Sequence, residues 1–361
     1  MRWLNRVYCA VLLAGLASLS HADEVQNMFE VTMPVTDQDQ DTRATIFQQG
    51  FAEVLVRVSG NNQLPAINLS DAPSYVQQYR YLQLDKLVNI VPAKSDMPVP
   101  THNLWVRYDE ASVKKLLRSK GLMIWGAQRP TVLVWLAVRD GQNRYILRDQ
   151  DSSPIRDAVN LEAARRGLPL IWPSYDDKDS KQFGFTDIWG GFFETVNRAS
   201  QRYAASAVLI GRMDWQKKSG WQIDWSYMQD GTQQNWQQRA TDLPVLMAAG
   251  INPVANQLAS RFAVSETPAG VTSLDILVKG VEGAEAYSQV AQYLQSLALV
   301  KQMYATDITP GQAQFRLDIN GNEQDLRRTI ALNRTLSPEA MPEPSAVTPP
   351  APVVLRYRLK L

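Results

Sequence analysis

Residues 132–138 read Val-Leu-Val-Trp-Leu-Ala-Val, seven apolar side chains without a break, entered from Pro130-Thr131 and left through Arg139-Asp140-Gly141. A strand with one wet face alternates in polarity, so an unbroken run of this length predicts a strand covered on both faces. Residues 168–172 and 207–211 repeat the pattern, and helical patterns lie between the runs. Ser153 is placed to cap a helix that has Pro154 at its first position, a stripe of Ile155, Ala158, Leu161 and Ala164, and a stop at Gly167. Asp187 opens a second helix, with Ile188, Phe192, Val196, Ala199 and Tyr203 at helical spacing. Three strands then form a meander over 208–215, 221–227 and 235–240, turning at Lys218-Ser219-Gly220 and Gln229-Asp230-Gly231. A last helix over 243–262 is expected to bend or break at Gly250 or Pro253. Residues 128–264 therefore read as an α/β domain of order β-α-β-α-β-β-β-α.

The flanking segments have their own patterns. Residues 23–127 predict a small α+β domain. It has a strand over 28–35, a helix over 41–58 stopped by Ser59-Gly60-Asn61-Asn62, and a second helix over 71–81 opened by Ser70 or Asp71 with Pro73 in its first turn. Strands over 87–91 and 104–108 are expected to pair, and a helix over 110–120 to close at Gly121. After a linker over 265–270, residues 271–361 read β-α-β-β-α-β, the order of a ferredoxin-like domain. Its strands show in Leu274, Ile276, Val278 and in Phe315, Leu317, Ile319, and its helices in the stripe Tyr287, Val290, Leu294, Leu297 and in the Asn322/Asp325 start that carries Leu326 and Ile330 inward. A proline-rich linker over 337–352 precedes a terminal strand over 353–361, in which Leu355, Tyr357, Leu359 and Leu361 alternate with Arg356, Arg358 and Lys360. That two-faced edge strand either completes its own sheet or adds to another molecule's. The fold class expected for the whole chain is a multi-domain α+β and α/β assembly of small mixed sheets.

The first 22 residues read as a cleavable export signal: Arg2 and Arg6, an apolar run over 7–19, then Ser20-His21-Ala22 before Asp23-Glu24. The run is shorter than the roughly 20 residues that span a bilayer, so cleavage between Ala22 and Asp23 and no stable membrane insertion afterwards are expected. Leu13-Ala14-Gly15-Leu16 has leucine where a lipoprotein signal has its cysteine, and Cys9 lies too early to serve. Cleavage would leave 339 of 361 residues and lower the 37 basic residues to 35 against 36 acidic ones, a net charge of about −1 that draws neither nucleic acid nor an anionic membrane. Cys9 and His21 would leave with the signal, so thiol chemistry ends and His102 becomes the sole imidazole. A large cysteine-free exported chain suits a Gram-negative periplasm, where cores rather than cross-links hold domains together.

Few residues suggest chemistry, and the sequence assigns no catalytic, cofactor or metal site. The acidic set Asp176-Asp177-Lys178-Asp179 follows a predicted strand, where open α/β sheets bind ligands, and Asp149 and Asp151 would join it only if the fold closes the loops. Its carboxylates suit a hard cation or acid–base work, or simply a solvated loop. Trp221 and Trp225, with Trp215, Tyr227 and Trp236, suit either a core face or an exposed partner surface. Gly190-Gly191 lacks the lysine and spacing of a phosphate loop.

Five stretches carry a family resemblance: Val54-Leu55-Val56-Arg57-Val58-Ser59-Gly60, Tyr75-Val76-Gln77-Gln78-Tyr79-Arg80-Tyr81, Trp125-Gly126-Ala127-Gln128-Arg129-Pro130, Arg166-Gly167-Leu168-Pro169-Leu170 and Ala199-Ser200-Gln201-Arg202-Tyr203. Together they resemble the exported proteobacterial proteins of domain-of-unknown-function family 2066 over residues 23–262, which implies a gammaproteobacterial envelope location and no established activity. Ala205-Ser206-Ala207-Val208-Leu209-Ile210-Gly211 and the Trp-rich meander after it are similar to the non-propeller, protein-binding domain of Tol-system periplasmic proteins and of activators of peptidoglycan synthases. The expected function is a periplasmic interaction or scaffold protein for envelope or peptidoglycan-associated partners. The alternative is a cell-wall hydrolase or metal-dependent enzyme using the loop from Asp176 to Asp179.

Overall fold

The computed structural model describes residues 25–83, 100–264, 271–332, 335–339 and 354–360. The export segment, the strand expected over 87–91, the linker over 265–270 and residues 340–353 of the proline-rich stretch and its junction with the last strand lie outside them. The described residues form a mixed α+β and α/β structure built on three sheets.

The continuous apolar run over 132–138 is β4 (Val132–Asp140), buried from Val132 through Val138. Its two faces feed separate cores, Val132, Val134, Leu136 and Val138 into one and Leu133, Trp135 and Ala137 into the other. A short β5 (Asn143–Ile146), missed in the sequence, turns back along its second half, and α3 (Pro154–Arg166) follows, capped by Ser153 and stopped by Gly167 as its sequence predicts. The buried face of α3 is Ile155, Val159 and Ala163, however, and Leu161 is 60% exposed. The stripe is rotated from the expected one because α3 packs against two other helices of the fold while its buried face shares a core with β4.

Next come β6 (Leu170–Ile171), α4 (Asp177–Ser180), α5 (Phe185–Gly190) and α6 (Phe193–Ser200). One continuous helix from Asp187 was expected. Instead Gly184 is the N-cap, Asp187 sits at the third position accepting from the Gly184 N–H, and left-handed Gly191 ends the turn, leaving Phe192 exposed. The meander follows as β7 (Ala207–Gln216), β8 (Gly220–Gln229) and β9 (Thr232–Ala240), and the sheet runs β5-β4-β7-β8-β9, with β6 on β4 and β4 parallel to β7.

The last helix of this unit, α7 (Leu243–Phe262), is continuous through Gly250 and Pro253. A proline inside a helix strips the donor from the carbonyl four residues earlier. Here that carbonyl is Ala249, and it accepts the indole N–H of Trp236 at 2.9 Å. Trp236→Phe removes this replacement donor and is expected to cost about 1 kcal/mol. A lower urea midpoint at unchanged slope is the expected reading, and an unmoved midpoint would contradict it.

In the N-terminal part, β1 (Glu30–Val35), β2 (Val76–Gln83) and β3 (His102–Tyr108) form an antiparallel sheet of order β1-β3-β2. It is covered by α1 (Gln40–Ser59) and α2 (Glu110–Ser119). The helix expected over 71–81 is a 3₁₀ turn (Leu69–Tyr75) leading straight into β2. Pro73 sets the turn, while Val76, Tyr79 and Tyr81 are strand formers whose partner, β3, is remote in sequence.

The C-terminal part runs β10 (Val271–Val281), α8 (Gly283–Ser296), β11 (Val300–Thr309), β12 (Gly311–Asn320), α9 (Glu323–Ala331), β13 (Leu336–Pro338) and β14 (Val354–Leu359), in sheet order β11-β12-β10-β14-β13. A plain six-element split order would return the last strand antiparallel to β10. The short β13 takes that direction, and β14 then runs back parallel to β10. The terminal strand is thus an interior strand of its own sheet rather than an edge, and Leu355, Tyr357 and Leu359 are buried. Among the described residues no helix is long and apolar enough to cross a membrane.

Candidate functional site

Asp176 and Asp179, singled out by the sequence, are tied into the fold. Asp176 caps α4, accepting from the Lys178 and Asp179 backbone N–H groups at 3.0 and 3.3 Å. Arg202 grips the Asp176 carboxylate in a fork at 2.6 and 2.9 Å and reaches Asp179 at 3.0 Å. Asp179 is fully buried and takes the Tyr203 hydroxyl as a second donor, while Asp177 points to solvent. Asp151 is engaged by Arg148, and Asp149 meets this region through its backbone N–H on the Pro173 carbonyl. The loop is a closed clasp. Among the described residues no group of three or more His, Cys, Asp or Glu is placed to hold a metal ion.

The Arg202 fork, then the two backbone donors, hold the Asp176 carboxyl well below the usual carboxylate range against a smaller opposing effect of burial. A depressed carboxyl contributes stability that is complete above its unfolded-state value of about 3.9 and is lost as pH falls through the lower folded-state value. The melting-temperature gap between the wild type and Asp176→Asn should hold from about pH 7 to pH 5 and narrow below about pH 4. A gap that already narrows between pH 7 and 5 would contradict the fork.

The tryptophans divide. Trp225 is 1% exposed and lies between two glycines. A Cβ on Gly250 would overlap its indole, and one on Gly211 would come within 2.8 Å of it and 2.5 Å of Leu136. It is core, which corrects the partner-surface reading for this residue. Trp221 is half-buried, packs on the same core and meets Trp215, which is 39% exposed, at 5.0 Å between ring centroids. His102 begins β3, with ring nitrogens against Thr101 at 2.9 Å and Gln38 at 3.2 Å.

The densest polar arrangement was not among the sequence candidates. It lies where the first and middle units meet, and it follows from a general need: the last carbonyls of any helix lack intrahelical donors, and the negative end of the helix dipole favours a cation there. At the end of α1 the Val56 carbonyl is taken by the Gly60 backbone N–H, that of Arg57 by the Arg129 guanidinium at 2.7 Å, and that of Val58 by the Trp125 backbone N–H at 2.8 Å. At the end of α3 the Ala163 and Ala164 carbonyls are taken by Leu168 and Gly167, that of Arg165 by Arg57 at 3.4 Å, and that of Arg166 by Arg129 at 2.8 Å. One buried side chain, Arg129, therefore closes the C-termini of two helices from different units.

Arg129 also donates to the carbonyls of Gly126, Gly167 and Trp125 at 2.9 Å each, and its guanidinium lies 3.9 Å from the Trp125 ring centroid. It is 1% exposed, and burial, then the charges of Arg57 and Arg166, lower its pKa well below the ordinary value. Arg166 reaches the Gly60 carbonyl at 2.7 Å and the side chains of Asn252 and Asn256 on α7, and burial pulls it down to about 10. Arg57 gives to the Glu30 carbonyl at 2.7 Å and to Glu53, which also accepts from Arg165. The Arg129 guanidinium has every donor on a backbone carbonyl, whereas the buried Nε of Arg166 has no partner. Together the three arginines join α1, α3, α7 and the strand β1.

The third unit reaches the same segment. Gly126 approaches Ala298 so closely that a Cβ would lie 2.5 Å from it, next to an antiparallel bridge between Ile124 and Val264 at the end of the middle unit. A cleft of about 670 Å³ opens beside this contact, between the first unit and the end of α8. Among its charged residues Glu30 pairs with Arg107 and takes the Trp105 indole N–H, Lys114 pairs with Glu110, and Asp109 accepts from the Ser112 backbone N–H as the cap of α2.

A family model described as Domain of unknown function (DUF8605) matches residues 22–126. This overturns the resemblance to family 2066, because the segment that holds two of the five stretches and the start of a third matches the model of a different domain family. No curated protein matches the chain.

Proposed function

We propose that this chain is an exported periplasmic protein of a Gram-negative envelope that holds three small units in fixed relation and presents them to envelope or peptidoglycan-associated partners. The observation that carries the reading is the arginine–carbonyl junction, which fastens two units by groups that catalysis would otherwise use. Support for export comes from the order of basic, apolar and small residues up to Ala22, and the DUF8605 match begins at residue 22. The hydrolase alternative draws no support from the loop of Asp176, Asp177 and Asp179, whose first and last carboxylates are held by Arg202 and Tyr203.

Two measurements test the proposal. Intact mass of the chain recovered from the periplasmic fraction should correspond to a start at Asp23, and a full-length chain confined to the cytosol would refute the address. Crosslinking with mass spectrometry in intact cells should return the same envelope partners in replicate. A chain that captures nothing reproducibly would sink the scaffold reading.

A further inference from the structure

The outer edge of β9 lacks the features that protect other sheet edges in this protein. An edge strand offers unpaired backbone groups to any passing strand, and proteins blunt it with proline, lysine, bulges or shortness. Here β1 carries Pro34, β5 and β6 have four and two residues, and β13 has three and ends at Pro338. β2 shifts register between Val76 and Gln78, and β11 shifts twice and carries Lys301. β9 pairs with β8 over all nine residues without a shift and contains neither proline nor lysine. Its Gln233, Gln234, Asn235, Gln237 and Arg239 are exposed.

We propose that β9 pairs antiparallel with β9 of a second copy about a two-fold axis at Trp236, joining two middle-unit sheets into one. The strand complements itself. In this register Asn235 of one copy faces Gln237 of the other, Gln234 faces Gln238, and Gln233 faces Arg239. Each amide side chain both donates and accepts, so it is satisfied by its own kind. The one charged residue, Arg239, meets a neutral partner, so no like charges stand opposite. Trp236, half-buried with its N–H already given to Ala249, meets its twin at the axis and supplies an apolar centre. A two-fold pairing also closes on itself, which ends growth at two chains.

Sedimentation velocity of the purified chain at micromolar concentration should give roughly twice the mass of one chain. The double variant Gln234→Lys with Gln238→Lys sets lysine opposite lysine on both sides of the axis and should weaken the dimer about tenfold or more, with an unchanged far-UV circular dichroism spectrum. In the wild type, amide exchange over residues 232–240 should slow as concentration rises, a reading that needs no variant. A monomer at every concentration, a dimer indifferent to the two lysines, or β9 amides protected only when a different protein is added would each overturn the pairing.

Discussion

Arg129→Met is expected to lower the stability of the joined first and middle units by about 4 kcal/mol. It leaves the carbonyls of Arg57, Trp125, Gly126, Arg166 and Gly167 without the donor each has in the wild type. A buried acceptor stranded in this way costs about 1–3 kcal/mol, and the five are not additive because they share one side chain. Relief of repulsion from Arg57 and Arg166 works in the opposite direction. The stranded carbonyls decide the sign, as they do when one partner is removed from a buried charged network, at about 3–5 kcal/mol. For units of this size the melting temperature should fall by roughly 10 °C. Arg129→Lys keeps the charge but only three donors on one nitrogen, so it should fall between the two. A melting temperature of Arg129→Met within about 2 °C of the wild type would show that the network is not what holds the units together.

Trp225→Ala is the second large effect, expected at about 4 kcal/mol, the usual range for removing a fully buried aromatic side chain. The indole N–H has no partner, so the loss is one of packing alone. Gly211 and Gly250 both approach the ring, and neither can fill the space it leaves because neither has a side chain. The measurement also separates the two roles open to this tryptophan at the level of sequence. A partner-binding residue would change capture and leave the urea midpoint alone, whereas a core residue moves the midpoint.

The middle sheet was legible because its signals are local. Continuous apolar runs mark β4 and β7, and Gly220 and Gly231, both in the left-handed region, set the meander turns. Where neighbours remote in the chain decide the outcome, the reading failed. Residues 76–81 look like a polar helix surface until β3 pairs with them, and the face of α3 turns because α7 lies beside it. The reversal of β14 depends on the three-residue β13, too short to leave a pattern. The Asp176 to Asp179 cluster was found correctly as a cluster, but its Arg202 and Tyr203 partners lie over 20 residues away and convert it from a site into a clasp.

The arginine junction left a subtler trace. Backbone carbonyls have no sequence signature, and an arginine usually reads as surface. Yet Arg57 interrupts the apolar run Val54-Leu55-Val56-Arg57-Val58, Arg129 follows Trp125-Gly126, and Arg166 sits against the helix-ending Gly167. Three of the stretches singled out as family motifs each contain one arginine of the junction. Of the three, Arg129 alone closes two helix ends, a task that suits a planar five-donor group.

The central claim is that the first and middle units are one cooperative body fastened at Arg129. Scanning calorimetry of the whole chain tests it most directly, using Phe51→Ala in the core under α1 and Trp225→Ala in the core under α7, both sites being fully buried. The account predicts that the two substitutions lower one and the same endotherm. Two endotherms, each lowered by only one of the substitutions, would contradict it.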